Sequence, residues 1–330
     1  MLKILVSFLV CFVITLLLGR VLVPFLRRLK AGQAIKTDGP TWHMGKQGTP
    51  TMGGLMFVAG CALTLALVDH SNLLVDPTAL YVYLFALVFG LIGFVDDYAK
   101  IKKRQNTGLT ASQKFLLQLA AAIAFTVLLR VNGSLTPNLY IPFLEVILPL
   151  PWPVYMVFAA FVMVGTVNAV NITDGLDGLA ASVTLPVMIF FTAVAVAWGE
   201  GFEGCALLCA TMCGGLLAFL VYNFYPAKTF MGDTGSLFLG GLVSALAFAY
   251  DMPLILIPVG IIYIIETLSD ILQIGYFKLT HGKRIFKMAP LHHHFEMCGW
   301  KEVKVVFWFA AITVVGCAVA YLGVFQRYGM

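Results

Sequence analysis

Ten long apolar stretches follow one another along the 330 residues of the chain, separated by short polar connections. A helix needs about 20 apolar residues to cross the roughly 30 Å hydrocarbon core of a bilayer. Because lipid cannot satisfy free backbone polar groups, such segments span as helices. The sequence therefore predicts an all-α polytopic integral membrane protein with about ten transmembrane helices. The stretches are residues 3–26, 52–68, 78–97, 114–131, 152–170, 180–198, 204–223, 236–250, 254–278 and 304–325.

Charge is scarce, which excludes several classes of protein. Only 11% of the residues are charged and 60% are apolar, whereas about a quarter of the residues of a soluble protein are charged. We therefore expect neither a soluble or disordered protein nor a nucleic-acid-binding one. The first stretch resembles a signal peptide, but apolar residues continue past Arg20 without an evident cleavage site, so we expect a retained helix. No low-complexity linker interrupts residues 1–330, which predicts a single transmembrane domain.

The few charges are distributed unevenly between the two sides of the expected bundle. Seventeen of the 21 Lys and Arg residues lie in or beside odd-numbered connections, and they include Lys30, Lys36 and Arg104. The positive-inside rule places these connections in the cytoplasm and both termini in the periplasm. The longest outer connection, residues 132–153, is expected to form a short hairpin. Acidic residues mark the even-numbered connections, namely Asp69, Asp76, Glu145, Glu200, Glu203 and Asp251.

Acidic residues also gather at the ends of apolar stretches on the expected cytoplasmic side, where they need a reason to be near lipid. Asp96 and Asp97 end the third stretch, and neighbours on a helix point about 100° apart. Two adjacent carboxylates suit a divalent cation or acid-base chemistry. A solvated helix end beside Lys100 is the alternative.

A second polar segment follows the fifth stretch. Asn168, Asn171, Asp174 and Asp177 recur every third residue, and a glycine follows each aspartate. Residues three apart share a helix face, and glycine permits a close backbone approach. This density of amides and carboxylates without a nearby Lys or Arg favours a binding site over a capped turn.

Two glycine-rich segments suit phosphate binding. Gly232–Gly235 precedes a helix, so Asp233 could ligate a metal while backbone N–H groups hold a phosphate; ordinary N-capping is the alternative. Residues 41–54 contain many glycines and one central lysine, Lys46, but they lack the Walker A order. They either fold over a phosphate or form a flexible loop.

Three consecutive histidines, His292, His293 and His294, lie in the last cytoplasmic connection. They suit either phosphate contact or a zinc site, although no matching Cys/His set stands at ligand spacing. Lys114 opens the fourth stretch and could pair with an aspartate or bind phosphate. Glu266, Asp270 and Gln273 form one polar stripe that must face protein or a water-filled cleft. The collection predicts a phosphate or diphosphate substrate handled with Mg²⁺ beside a lipid-borne partner.

Five motifs carry a resemblance to a known family. The Asp96–Asp97 pair, the run from Asn168 to Gly178 and Gly232–Ser236 resemble the polyprenyl-phosphate N-acetylhexosamine-1-phosphate transferases. Pro290–Glu296 and Pro50–Gly54 resemble, more narrowly, the phospho-N-acetylmuramoyl-pentapeptide transferases. The resemblance covers the whole chain. It implies transfer of phospho-MurNAc-pentapeptide from UDP to undecaprenyl phosphate, with release of UMP, Mg²⁺ dependence and a homodimer in the bacterial cytoplasmic membrane.

The resemblance also assigns expected roles to residues of this sequence. Asp233 is the expected Mg²⁺ ligand, Asp96 the base or nucleophile and Asp97 a neighbouring essential carboxylate. Lys114 is expected to contact phosphate, while His292 and His293 lie near the diphosphate and nucleotide. The other expected substrate-binding residues are Lys46, Thr51, Asn168, Asn171, Asp174, Asp177, Asn223, Phe230, Gln273 and His294.

Alternatives stay open at this point. The lipid phosphate attacks either directly or after an aspartate has formed a phosphoryl-enzyme; its charge near neutral pH favours direct attack. A transferase for UDP-N-acetylhexosamine is the nearest alternative substrate class, and the histidine run argues against it. A secondary transporter would place charges near the bilayer midplane and often show inverted repeats, whereas these carboxylates lie at stretch ends.

Overall fold

A computed structural model describes residues 1–29, 45–68, 77–103, 105, 107–199 and 201–328, with side chains described up to residue 324. The start of the glycine-rich segment, residues 41–44, lies outside the described residues, as do Lys30, Lys36, Asp69, Asp76, Arg104 and Glu200. The helices are α1 Leu2–Arg28, α2 Leu55–Val68, α3 Thr78–Lys103, α4 Ala111–Val131, α5 Trp152–Thr173, α6 Leu179–Trp198, α7 Glu203–Asn223, α8 Gly232–Ala249, α9 Leu256–Val259, α10 Ile261–Leu279, α11 Leu291–Met297 and α12 Glu302–Tyr328. The strands are β1 Asn138–Ile141 and β2 Val146–Pro149.

The prediction of an all-α polytopic membrane protein is confirmed. Every predicted stretch contains a helix, and within the described ranges eight helices are long and apolar enough to cross a bilayer. The second stretch is shorter than expected, because α2 has only 14 residues. The residues before α2 instead bond to another connection: the Gly53 N–H donates to the Phe230 carbonyl at 2.8 Å, and the Gly54 N–H donates to that of Met231 at 3.0 Å.

The ninth stretch, expected to be one helix over residues 254–278, is broken. The segment Pro253–Val259 and helix α10 meet at an angle of 82°. Gly260 lies at the break with φ −98° and ψ 17°, outside the α-helical region. Pro258, which has no backbone N–H to donate, precedes it. The expectation of a continuous helix was wrong here.

Helix α8 lies at the centre of the bundle, surrounded by protein. In the most apolar 18-residue stretch of each helix, 89% of α8 is buried inside the protein, whereas only 22% of α1 is buried. A side chain at Gly240 would collide with the backbone of Val167 on α5, and one at Gly241 would press on Ala86 and Phe89 of α3. These two glycines therefore allow α3 and α5 to pack closely on two different faces of α8.

Where they are described, odd-numbered connections contact one another at one end of the bundle and even-numbered connections do so at the other end. At one end, the segment before α2 bonds to the segment before α8, as described above. At the other, the Thr136 hydroxyl donates to Asp251 at 2.9 Å. Strands β1 and β2 pair antiparallel between α4 and α5, which confirms the expected hairpin. The predicted site residues therefore share one end of the molecule.

Candidate active site

Three aspartates form a carboxylate cluster where α3 ends and α8 begins. Oxygens of Asp96, Asp97 and Asp233 lie within 4.8 Å of one another. Gly93, one turn earlier on α3, makes this possible, because any side chain there would overlap the backbone carbonyl of Asp233. A glycine contact between two helices thus joins motifs more than 130 residues apart.

Asp97 is bound to the first turn of α8. Its carboxylate accepts the backbone N–H of Asp233 at 3.2 Å, the backbone N–H of Thr234 at 2.9 Å and the Thr234 hydroxyl at 2.7 Å. No side chain of α8 itself caps these N–H groups. The carboxylate therefore acts as an N-cap supplied by another helix. Its negative charge also interacts favourably with the positive end of the α8 dipole.

Two lysines neutralise the rest of the cluster. The Lys100 ammonium lies 2.6 Å from Asp96 and 2.9 Å from Asp233. The Lys114 ammonium lies 2.5 Å from Asp233 and 3.4 Å from Asp96. Lys114 was expected at the site, whereas sequence reasoning treated Lys100 only as a solvating neighbour. Its position four residues after Asp96 on a helix was the available signal.

The asparagines and aspartates of the 168–178 run have different surroundings. Asn171 donates to Asp233 at 2.9 Å and to Ser236 at 2.8 Å, so it belongs to the cluster. Asn168 instead donates to Gln118 of α4 at 2.8 Å. Removal from water and the charges of Asp233, Asp97 and Asp177 raise the pKa of Asp174 well above the usual range.

Lys46 bridges two carboxylates on a second side of the site. Its ammonium lies 2.7 Å from Asp177 and 2.5 Å from Glu302. The same Glu302 oxygen accepts the backbone N–H of Asp177 at 2.6 Å, and Asp177 also accepts the N–H of Ala227 at 2.9 Å. Sequence reasoning missed Glu302, although an acid at the start of an apolar helix on a basic side was the available signal.

Three other expected substrate-binding residues hold the connections together. The Asn223 amide accepts the Gly178 N–H at 3.1 Å and donates to the Thr229 carbonyl at 2.9 Å. The Phe230 backbone pairs with Pro50 and Gly53. Thr51 is buried, and a side chain at Gly232 would touch its hydroxyl. These contacts fix the segments that carry Lys46, Asp177 and Asp233.

The three histidines differ in their environment. His292 is buried, and its ring nitrogen Nδ1 contacts Glu266 of α10. His293 Nδ1 lies 2.8 Å from Glu296, one turn along α11. His294 Nδ1 accepts the Lys287 N–H at 3.1 Å. Only His292 is fully enclosed.

Comparison with known proteins decides the family. The model of glycosyl transferase family 4 matches residues 79–251, and signature 1 of phospho-N-acetylmuramoyl-pentapeptide-transferase matches residues 46–58. The phospho-N-acetylmuramoyl-pentapeptide-transferase of Clostridium acetobutylicum is 48% identical over 96% of this chain and 97% of its own. Relatives with the same name from Acetivibrio thermocellus and Clostridium novyi are 47% and 44% identical, over 97% and 98% of this chain and 95% and 97% of their own. The chain belongs to the phospho-N-acetylmuramoyl-pentapeptide-transferase family.

The signature of this transferase family covers part of the site just described. It includes Lys46, which bridges Asp177 and Glu302, and Thr51, which lies against Gly232. The longer glycosyl transferase match contains the three clustered aspartates and Lys114. Asp177 also lies in the longer match, whereas Glu302 lies outside both.

The carboxylate cluster has the chemistry of a metal site. Carboxylate oxygens are the ligands that hard divalent cations prefer. Both Asp97 oxygens already accept hydrogen bonds from α8, whereas Asp96 and Asp233 face ammonium groups that a metal ion would replace. Within the described ranges this is the only group of three or more His, Cys, Asp or Glu side chains placed to hold an ion. It contains no histidine, so the structure gives the zinc alternative for the histidine run no support.

Gln273 and His294 anchor a neighbouring loop in this transferase. The Gln273 side-chain oxygen accepts the N–H groups of Ile285 and Phe286, each at 3.0 Å, and its amide donates to the Phe286 carbonyl at 3.0 Å. His294 binds the same loop at Lys287. Both side chains therefore hold the basic segment 283–287 beside the end of α10.

Proposed function

We propose that the protein transfers phospho-MurNAc-pentapeptide from UDP-MurNAc-pentapeptide to undecaprenyl phosphate, giving lipid I and UMP for peptidoglycan synthesis. One observation carries the proposal: Asp96, Asp97 and Asp233, with Lys100 and Lys114, form a polar cluster at the ends of membrane-spanning helices. A lipid phosphate and a nucleotide from the aqueous side can meet at such a place. Family membership supports the substrate class.

The cellular setting is part of the same proposal. The basic connections that surround the cluster favour a cytoplasmic orientation under the positive-inside rule, with both termini in the periplasm. The protein then lies in the bacterial cytoplasmic membrane as a single catalytic domain, residues 1–330, and works as a homodimer. The nucleotide substrate reaches the site from the cytoplasm.

Mg²⁺ is the proposed cofactor, with Asp233 as its ligand from this chain. When bound, Mg²⁺ would supply positive charge to the diphosphate and to the leaving UMP. The ammonium groups of Lys100 and Lys114 both lie within 3 Å of the Asp233 carboxylate. A metal ion bound to Asp233 would take their place, and the two lysines would turn toward the substrate phosphates. Asn171, hydrogen-bonded to the other Asp233 oxygen, would hold the carboxylate in place.

Direct attack by the lipid phosphate fits the environment of Asp96. One Asp96 oxygen accepts the Leu109 N–H at 2.8 Å, and the other faces Lys100 and Lys114. A carboxylate engaged in this way is a weak nucleophile. A lipid phosphate is largely dianionic near pH 7. In the proposed step its oxygen bonds to the β-phosphorus while the bond from that phosphorus to the bridging oxygen breaks, and the electron pair leaves with UMP.

A trapping experiment separates this step from a covalent route. The enzyme is mixed with Mg²⁺ and UDP-MurNAc-pentapeptide labelled in the β-phosphate, without undecaprenyl phosphate, and then denatured. Direct attack predicts no labelled protein and no UMP beyond slow hydrolysis. A stoichiometric protein adduct that undecaprenyl phosphate then consumes would establish a covalent phosphoryl-enzyme intermediate instead.

The function itself is tested with purified protein and a defined lipid acceptor. The protein receives Mg²⁺, undecaprenyl phosphate and either UDP-MurNAc-pentapeptide or UDP-N-acetylglucosamine, and UMP is measured. We expect UMP with the first nucleotide, none without lipid and little with the second. If UMP is released with UDP-N-acetylglucosamine and not with UDP-MurNAc-pentapeptide, the protein is a transferase for UDP-N-acetylhexosamine instead.

A further inference from the structure

A buried acid, Glu266, and a buried histidine, His292, form a pair in which the acid has no assigned role. Glu266 of α10 has no exposed surface, and His292 at the start of α11 is 1% exposed. One Glu266 oxygen, Oε1, accepts the backbone N–H of His292 at 3.0 Å, while Oε2 contacts the ring nitrogen Nδ1 of the same residue. Both oxygens of one carboxylate are thus used to hold one histidine.

This arrangement determines where the ring carries its proton. An ionised carboxylate only accepts hydrogen bonds, so the ring nitrogen that faces it is the protonated one. Nδ1 is therefore the donor, and Nε2 is the nitrogen left for other contacts. Nε2 is buried and has no hydrogen-bond partner among the described residues. A buried polar atom without a partner is costly, which indicates that something else binds there.

The direction of Nε2 locates that contact. A side chain placed on Gly175 would overlap Nε2 and the neighbouring ring carbon, so the ring lies directly against this glycine. Gly175 follows Asp174 and lies two residues before Asp177, in the turn between α5 and α6. The free nitrogen therefore faces the turn that carries two of the expected nucleotide-binding carboxylates.

We propose that Glu266 is a positioning residue, which fixes His292 with its proton on Nδ1 so that Nε2 contacts the nucleotide-sugar substrate at the Gly175 turn. The substrate part of this statement rests on the proposed function. The tautomer part rests only on the geometry of the protein. Glu266 itself lies behind the ring and acts through it.

Glu266→Gln reverses the tautomer without changing the shape of the side chain. The backbone N–H of His292 requires an acceptor, so the glutamine oxygen takes the Oε1 position and its NH₂ group faces Nδ1. Nδ1 must then accept, and the ring proton moves to Nε2. Asp270→Asn is the matched control, because it makes the same acid-to-amide change one turn along α10. The charge of Asp270 acts on Glu266 and His292, but among the described residues Asp270 makes no hydrogen bond to the ring.

The first measurement needs no turnover. Ring nitrogen chemical shifts of ¹⁵N-histidine-labelled protein distinguish the two tautomers, and the His292 signals are assigned by their loss in His292→Gln. We expect protonated Nδ1 in the wild type and in Asp270→Asn, and a neutral ring protonated on Nε2 in Glu266→Gln. A neutral wild-type ring protonated on Nε2 would overturn the proposal, even if Glu266→Gln failed to fold.

The second measurement is steady-state kinetics with each substrate varied in turn. We expect Glu266→Gln to raise KM for UDP-MurNAc-pentapeptide about tenfold, with KM for undecaprenyl phosphate within about twofold of wild type. Asp270→Asn should change neither value by more than about twofold. A reversed tautomer with unchanged nucleotide KM would refute the substrate contact. If the wild type releases no UMP, the proposed function fails, while the ring shifts still decide the role of Glu266.

Discussion

Asp97 is expected to stabilise the start of α8, and Asp97→Asn tests this directly. The carboxylate accepts three hydrogen bonds from the Asp233 and Thr234 residues of α8, at 2.7 to 3.2 Å. Asparagine has the same shape but only one acceptor oxygen. Its NH₂ group must face one of the N–H donors, so at least one buried donor loses its partner.

The expected loss follows from the balance of local interactions. A hydrogen bond to a charged group contributes about 1.5–3 kcal/mol, and an unpaired buried donor costs about 1–3 kcal/mol. The charge of Asp97 is attracted by Lys100, which lies 4.0 Å away, and repelled by Asp96 and Asp233, whose carboxylate oxygens lie within 4.8 Å. Each pair contributes roughly 3–4 kcal/mol at an effective dielectric of about 20, so the repulsion exceeds the attraction and its relief in the asparagine variant offsets part of the lost hydrogen bonding. We therefore expect the free energy of unfolding to fall by about 2–3 kcal/mol.

The assay is equilibrium unfolding of the purified protein in detergent, with a chelator present so that metal binding does not contribute. Thr234→Val is the matched control, because it removes only the hydroxyl hydrogen bond to Asp97 and should cost about 1 kcal/mol. An Asp97→Asn protein as stable as the wild type, or more stable, would refute the reasoning. That result would mean that relief of repulsion between carboxylates outweighs the capping of α8.

Three further predictions follow from other contacts of the site. Asp233→Asn should abolish turnover even at saturating Mg²⁺ while the protein stays folded; near-normal UMP release would remove its role as ligand. Glu302→Gln should raise the nucleotide KM about tenfold without changing that of the lipid, because Lys46 loses one of its two carboxylates; an unchanged nucleotide KM would contradict this. Gly93→Ala should lower the free energy of unfolding by about 1–3 kcal/mol, because the new methyl group separates α3 from α8; unaltered thermal unfolding would contradict this.

Much of the architecture was readable from the sequence, because lipid imposes strict rules on a chain. The length of the apolar stretches predicted the helices, and the predicted all-α membrane fold is confirmed. The break at Gly260 escaped the sequence analysis because apolar residues continue on both sides of it. The late start of α2 escaped it for a similar reason: Gly53 and Gly54 read as part of an apolar stretch, but their N–H groups bond to Phe230 and Met231.

The same distinction between sequence and tertiary structure applies to the site. By itself the sequence determined which residues are too polar to lie near lipid without a reason, and it predicted that Asp96, Asp97 and Asp233 would share one face of the membrane. Only the tertiary structure decided the partners: Lys100 and Lys114 on Asp233, Glu302 on Lys46 and Glu266 on His292. Most of these pairs join residues far apart in the chain, and no spacing rule connects them. They form because glycines such as Gly93 let particular helices approach closely.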